Sequence, residues 1–312
     1  MLNITVIIPT YRRPADLKRC LEALKCQNRT PNKVIVTVRD TDTETWIFFQ
    51  NFNYKPLNLS IITVLETGVV AAMNAGLARA QSDIISFTDD DAAPHPDWLE
   101  RIEAHFLADE KIAGVGGRDI IYRDDRLIKG EKQVVGKLQW FGRVVGNHHL
   151  GVGKAREVDV LKGVNMSFRQ AAIGQLFFER EMKGTGAQVH FELAFCLSLK
   201  KAGWKLVYDP NILVDHYGQQ RFDEDRREKF SDIAVTNKVH NETLALLNYF
   251  SPINNLVFLI WATLVGTRDN RGLLQCLRFL PKEGFISIKQ LSASLRGRYL
   301  GWQTWKNSSS NR

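Results

Sequence analysis

The sequence holds only four cysteines, Cys20, Cys26, Cys196 and Cys276, and none sits at a metal-ligand or redox spacing. Cys20 and Cys26 lie six apart in a predicted helix, so they point in different directions, and reduced, packed thiols are the expectation. Long apolar runs are also missing. Residues 242–266 are apolar but broken by Asn248, Ser251-Pro252 and Asn254-Asn255. The uninterrupted piece Leu256–Trp261 is far short of the ~20 residues that span a bilayer. Met1–Pro9 carry no basic leader region or small-residue cleavage site and run straight into a strand pattern, so no secretory signal is expected there. Repeats and low-complexity linkers are absent. The first 225 residues have no net charge, with 29 basic and 29 acidic side chains.

What is present is an ordinary globular composition, 44% hydrophobic and 24% charged, enough for one large domain or a domain with an appendage. The net charge of +8 falls entirely in Arg226–Arg312, with 13 Lys/Arg against 5 Asp/Glu. Such asymmetry points the tail, rather than the body, at an anionic partner.

Apolar, β-branched runs at 3–9, 33–38, 61–65, 83–88 and 112–117 read as strands. Helical patterns lie between them: Pro14 to about Cys26, a helix opened by a capping box at Thr41–Glu44, about Val70 to Ala80, and Pro96 to about Ala108. This alternation implies a mostly parallel α/β sheet with helices on both faces. Ligands of such sheets bind at the carboxyl ends of strands, where Thr10-Tyr11-Arg12, Asp40, Glu66 and Asp89–Asp91 fall. Beyond a looser stretch at 120–153, buried strands are expected at 158–161 and 164–168, a helix over Phe191–Ala202, and strands at 204–208 and 212–214 around Asp209-Pro210.

Asp89, Asp90 and Asp91 crowd three carboxylates at the end of a buried strand, where like charges and desolvation both cost energy. A divalent cation holding a phosphorylated ligand would offset that charge, since proteins commonly supply one or two carboxylates for such a site. A solvated acidic turn, or caps for the helix that follows, is the plainer alternative.

Several motifs in order give the chain a resemblance to the family-2 glycosyltransferases, over residues 3 to about 217. They are Val6-Ile-Ile-Pro-Thr-Tyr-Arg-Arg-Pro, VTVRDTD at 36–42, GVVAAMNAG at 68–76, the Asp89–Asp91 triplet, Gly163-Val-Asn-Met-Ser-Phe-Arg, and Val207-Tyr-Asp-Pro through Asp215-His216. The resemblance implies a GT-A fold, a Rossmann-like sheet binding a UDP-, GDP- or dTDP-sugar with Mg²⁺ or Mn²⁺. By position it implies a nucleotide pocket lined by Pro9, Thr10, Tyr11, Arg12, Asp40 and Asn74. Asp89 is then expected at ribose or diphosphate and Asp91 as the principal metal ligand, with Asp90 fitting either role. His216 stands where many members place a late metal or diphosphate ligand, though a histidine at a strand end also serves as a packed, hydrogen-bonded residue.

One departure concerns the general base. The family commonly carries Glu-Asp before the acceptor-side helix, whereas this chain reads Gly186-Ala-Gln-Val-His-Phe-Glu-Leu. Glu192, in the helix's first turn, is the expected base, with His190 as the second candidate.

In the tail, Ile288, Leu291, Leu295, Tyr299 and Trp302 repeat at helical spacing, with Lys289, Arg296 and Arg298 off the stripe. A basic helix of this kind lies in an anionic membrane surface or packs on the body. The expectation is thus a glycosyltransferase domain over 1–225 (nucleotide-sugar half 1–118, acceptor half 119–225) and a basic helical extension over 226–312. The resemblance implies inverting transfer to a saccharide or lipid-linked acceptor, and the tail suggests peripheral binding to the inner face of the cell membrane. A nucleotidyltransferase would want a glycine-rich basic loop after the first strand, where Pro-Thr-Tyr-Arg-Arg-Pro stands. A non-catalytic membrane adaptor that has lost the base is another reading. Nucleic acid is not expected as a partner, because the tail's aromatics form an apolar stripe and not a stacking platform.

Overall fold

The computed structural model describes residues 1–123, 126–218, 224 and 230–310. In chain order the strands and helices are β1 (Ile4–Thr10), α1 (Pro14–Lys25), β2 (Lys33–Arg39), α2 (Thr43–Asn51), β3 (Leu59–Val64), α3 (Val69–Leu77), β4 (Ile84–Phe87), β5 (Ala92–Pro94), α4 (Trp98–Ala108), β6 (Ile112–Arg123), β7 (Arg126–Leu127), β8 (Lys137–Leu138), β9 (Val144–Val145), β10 (Arg156–Val158), β11 (Met166–Arg169), α5 (Gln170–Ile173), α6 (Phe191–Lys201), β12 (Lys205–His216), α7 (Asp232–Tyr249), α8 (Pro252–Leu264), α9 (Leu273–Glu283) and α10 (Phe285–Ser310). They cluster into two compact units, one of residues 1–137, 146–178 and 199–219, the other of 138–145, 179–198 and 220–312. Segments 138–145 and 179–198, expected within the acceptor half, therefore group with the C-terminal helices.

The first unit is built on a sheet of order β10-β12-β6-β11-β4-β1-β2-β3. The β4-β1-β2-β3 half is wholly parallel. β11 enters antiparallel between β4 and β6, so the sheet is mixed and not purely parallel. β1, β2 and β4 are almost continuously apolar and buried, as strands covered on both faces must be. On one side Leu17, Leu21 and Leu24 of α1 and Trp98, Ile102 and Phe106 of α4 fill the core. On the other, α3 lies close to β1 at Gly76, where a Cβ would come within 2.6 Å of the Ile7 side chain. Glycine there lets helix and sheet approach.

Two local expectations are corrected. α2 is capped by Asp42, not by a box starting at Thr41: its carboxylate accepts from Thr45 N at 3.1 Å, Thr45 Oγ1 at 2.7 Å and Arg12 N at 2.7 Å. The two short strands expected around Asp209-Pro210 are one strand, β12, whose register against β6 shifts between Asp209 and Leu213. Proline lacks the N–H a ladder needs, and a bulge is where a strand tolerates it.

The second unit is helical. α10 packs along α7 not by its aromatic stripe but by small residues. A Cβ on Gly297 would stand 2.6 Å from Thr236 O, and one on Gly301 2.7 Å from His240 O. Arg298, on the buried side, pairs with Glu242 at 2.6 Å. The stripe faces outward, with Ile288, Leu295 and Tyr299 exposed. The tip of the β8–β9 ribbon lies on α8, with Phe141 and Trp261 ring centroids 5.0 Å apart. No helix among the described residues is long and apolar enough to cross a membrane.

Candidate active site

β4 delivers the aspartates. Its four residues are buried and uncharged, and the chain leaves it through Thr88, also fully buried. The next three carboxylates do not share one fate. Asp90, buried, accepts from the Thr10 hydroxyl at 2.8 Å and pairs with Arg13 at 3.2 Å. Arg13 also reaches Asp91 at 3.0 Å. It can do so because Arg12 sits in the left-handed region, φ 56°, with its N–H tied to Asp42, which turns the chain sharply after β1.

β12 delivers the fourth group. Its end pairs antiparallel with β5, setting His216 opposite Ala92, the residue that follows Asp91. The Tyr217 N–H donates to Asp91 O at 3.0 Å and fixes the approach. His216 Nε2 comes within 3.4 Å of Asp91 Oδ1, and its Nδ1 faces Asp119 Oδ2 at 3.6 Å, an ion-pair distance beyond hydrogen-bond length. Asp119, fully buried, is also paired with Lys162. One oxygen each from Asp89 and Asp91 and one nitrogen from His216 lie within 4.8 Å of one another, the one such three-ligand group among the described residues.

The protonation pattern follows from this crowding. Burial pushes the Asp90 carboxyl up to about 7, against the pull of Arg13 and with a further push from Asp91. Burial, reinforced by the Asp91 charge, raises Asp89 as well. His216 runs the other way: burial disfavours its charge, but Asp119 and Asp91 hold it up to about 9. Asp119, despite burial, is brought down to about 2 by His216 and Lys162. Four carboxyl groups thus crowd one imidazolium. Carboxylates that repel one another beside a histidine able to shed its proton as a metal binds fit a divalent cation. Two carboxylates and one imidazole suit Mn²⁺, and Mg²⁺ with added water.

The nucleotide candidates lie at the carboxyl ends of the neighbouring strands β1 and β2, where Thr10 is paired with Val38. Pro9 and Tyr11 are half-buried; Arg12 and Asp40 are exposed. The Arg12 guanidinium stands 5.1 Å from the Tyr11 ring centre. Asn74 is placed differently, its amide bonded both ways to the Phe178 backbone, donating to O at 2.9 Å and accepting from N at 2.8 Å. That clamp ties α3 to the chain at 178.

His190 and Glu192 lie in the second unit, where α6 begins. Gln188 and His190 both take left-handed φ angles, 41° and 78°. Asn241 on α7 grips the loop, donating to Lys183 O at 2.9 Å and Val189 O at 3.1 Å and accepting from Lys183 N at 2.7 Å. His190 Nε2 is buried without a hydrogen-bond partner among the described residues. Burial lowers its pKa to about 4, against the pull of Glu242. Glu192 is half-buried in the first turn of α6.

Arg13, Asp119 and Lys162 are the site residues that sequence reasoning missed. The doubled arginine before Pro14 was a local signal for the first; the other two carry none.

The model of the family "glycosyl transferase family 2" matches residues 5–177, more than half of the chain. The chain belongs to glycosyltransferase family 2. The nucleotidyltransferase alternative falls away with that membership. Among curated relatives it is 34% identical over 101 residues to the glycosyltransferase AglE of Haloferax volcanii, covering 31% of this chain and 33% of that one. It is 27% identical over 220 residues to the pre-mycofactocin glycosyltransferase of Mycobacterium tuberculosis, covering 69% and 42%. The chain thus spans less than half the length of these two relatives. Among solved structures, mannosyltransferase PcManGT of Pyrobaculum calidifontis, in complex with GDP-Man and Mn²⁺, superposes with a TM-score of 0.57 at 14% identity, covering 96% of this chain and 85% of that one. TarS 1–349 of S. aureus, in complex with UDP-GlcNAc, gives 0.57 at 17% identity, covering 93% and 79%.

Proposed function

We propose that the enzyme is an inverting, metal-dependent glycosyltransferase that moves a sugar from a nucleoside-diphosphate donor to a hydroxyl of a saccharide or lipid-linked acceptor. The observation that carries the reading is the convergence of Asp89, Asp91 and His216 at the carboxyl end of the sheet. A Mn²⁺ or Mg²⁺ held there would act as a Lewis acid on the leaving diphosphate. Arg13 and Thr10 hold Asp90 in place and so keep its two neighbours oriented. Pro9, Thr10, Tyr11, Arg12 and Asp40 form the nucleoside edge. The acceptor oxygen forms its bond to the anomeric carbon as the bond to the diphosphate breaks with its electron pair, and the acceptor proton passes to the Glu192 carboxylate. A single in-line displacement inverts the anomeric centre. His190, which burial brings down to about 4, is neutral at neutral pH and stands as the second candidate. The basic excess after residue 225 supports peripheral attachment to an anionic inner membrane face, where a lipid-linked acceptor would lie.

A thermal-shift screen against UDP-, GDP- and dTDP-sugars with and without Mn²⁺ tests the reading. One nucleotide class should raise the unfolding temperature only when Mn²⁺ is present, because a ligand at a hundredfold excess over its Kd adds roughly 2.7 kcal/mol. No shift with any donor would contradict it.

A further inference from the structure

Exposed apolar surface is concentrated in the second unit. On α8, Ile253, Leu256, Ile260 and Leu264 recur every three or four residues and stay open to solvent, Ile253 at 76%. The opposite face buries Asn255, Phe258 and Ala262. α9 repeats the arrangement, with Leu273, Leu274 and Leu277 outward and Cys276 inward. The turn between the helices is tight. Gly266 bridges Arg271, and Thr267 N donates to Asn270 O at 2.9 Å, so the exposed Leu264 and Leu273 flank one short turn. At the ribbon tip Trp140 is 67% exposed, and with Phe141, Val257, Ile260 and Trp261 it lines a wholly apolar cavity of 340 Å³.

These are amphipathic helices turned outward, and contiguous apolar surface of this kind marks an interaction site. The charges around it name the partner. Arg268 in the turn, Arg278 and Lys282 on α9 and Lys289 at the start of α10 are all exposed. Against them stand Asp269 and Glu283, and Glu283 is paired with Arg271 at 2.5 Å. An apolar face rimmed by cations is complementary to an anionic bilayer surface, where aliphatic and Trp side chains enter the acyl boundary and Lys and Arg stay among the headgroups. A second copy of this chain fits less well, because a twofold contact through this face would bring its cations against their own images. Neither helix is long and apolar enough to cross the bilayer, so the helices lie in its surface.

We propose that the α8–α9 face, with Trp140, docks the enzyme on an anionic lipid surface. This rests on the membrane reading given above and names the face that makes the contact.

The test sediments the full chain with vesicles of phosphatidylcholine alone and of phosphatidylcholine with phosphatidylglycerol, at low and high salt. Donor hydrolysis by water is followed in the same samples. The wild-type chain is expected to partition onto the anionic vesicles. L273E/L277E, at exposed positions, should lower partitioning at least about tenfold by removing insertion and adding repulsion. R278Q/K282Q should lower it about fivefold per charge at low salt, with little change at high salt. Both variants should hydrolyse donor at the wild-type rate. The proposal is overturned if the wild-type chain stays in the supernatant at low salt, or if L273E/L277E partitions like wild type. It is also overturned if those substitutions dissolve a dimer seen by ultracentrifugation, which would give the face to a second copy. Absence of donor hydrolysis in the wild-type chain would instead sink the transferase mechanism, whatever the vesicles show.

Discussion

At the scale of single residues, the aspartate triplet shows what a sequence can and cannot sort. Three adjacent carboxylates after a buried strand are visible by eye, and so is their need for positive charge. Which of them turns towards Arg13 and Thr10 and which towards His216 depends on partners 77 to 127 positions away in the chain, and no local spacing encodes that. Asp119 is the extreme case. It follows a run of glycines in β6, yet it backs the ring of His216 as carboxylates commonly back metal-ligating histidines. Asp119→Asn should therefore weaken Mn²⁺ binding about 10- to 100-fold, read by titration of the donor-free protein, with Asp119→Glu recovering part of the loss. For the base, Glu192→Gln should cut kcat by a factor of ~100 or more with donor affinity little changed, and His190→Ala should cost less. Steady-state kinetics in which His190→Ala is the more severe of the two would transfer the role to the histidine.

At the scale of elements, the alternation of strands and helices in the first 118 residues was legible except for the short β5, because buried parallel strands are nearly pure Val and Ile. The antiparallel insertion of β11 was not, since its short run Met166–Arg169 reads like any other buried strand. The C-terminal helices were legible as helices but not in their packing. In α10 the conspicuous pattern is the aromatic and aliphatic stripe, yet the face that meets α7 is Ala293, Ser294, Gly297 and Gly301, residues with little hydrophobic contrast. Small residues make close helix approach possible, and a sequence shows their smallness without showing the neighbour. Gly297→Ala should accordingly destabilise the second unit by roughly 1–3 kcal/mol, because its methyl would meet the Thr236 carbonyl. The midpoint of urea unfolding followed by circular dichroism checks it. The same packing makes α10 a structural partner of α7.

At the scale of the whole molecule, charge and pH connect the parts. The +8 excess in the last third is legible in composition alone, and the structure shows Arg298 offset inside by Glu242 while cations such as Arg278 and Lys282 are exposed. Folding stability should also carry an acid limb from His148, whose buried ring donates from Nε2 to Val160 O at 2.9 Å but is held neutral by its burial. Burial lowers its pKa from 6.5 to about 4. Above pH 6.5 both folded and unfolded forms are neutral and the residue adds no pH dependence. Between 6.5 and 4 the unfolded chain takes the proton first, so stability falls as pH falls, by roughly 3 kcal/mol in full, and the loss levels off below 4. His148→Gln should flatten that part of a stability–pH curve measured by urea unfolding. The account's central claim, that Asp89, Asp91 and His216 hold the cation on which sugar transfer depends, is tested most directly by nucleoside-diphosphate release from the donor, titrated with Mn²⁺ in the wild-type enzyme and in Asp91→Asn. The wild type should be silent in chelator and rise with Mn²⁺, while Asp91→Asn stays folded and does not turn over at any Mn²⁺ concentration. Full Mn²⁺-stimulated release by Asp91→Asn would contradict the account.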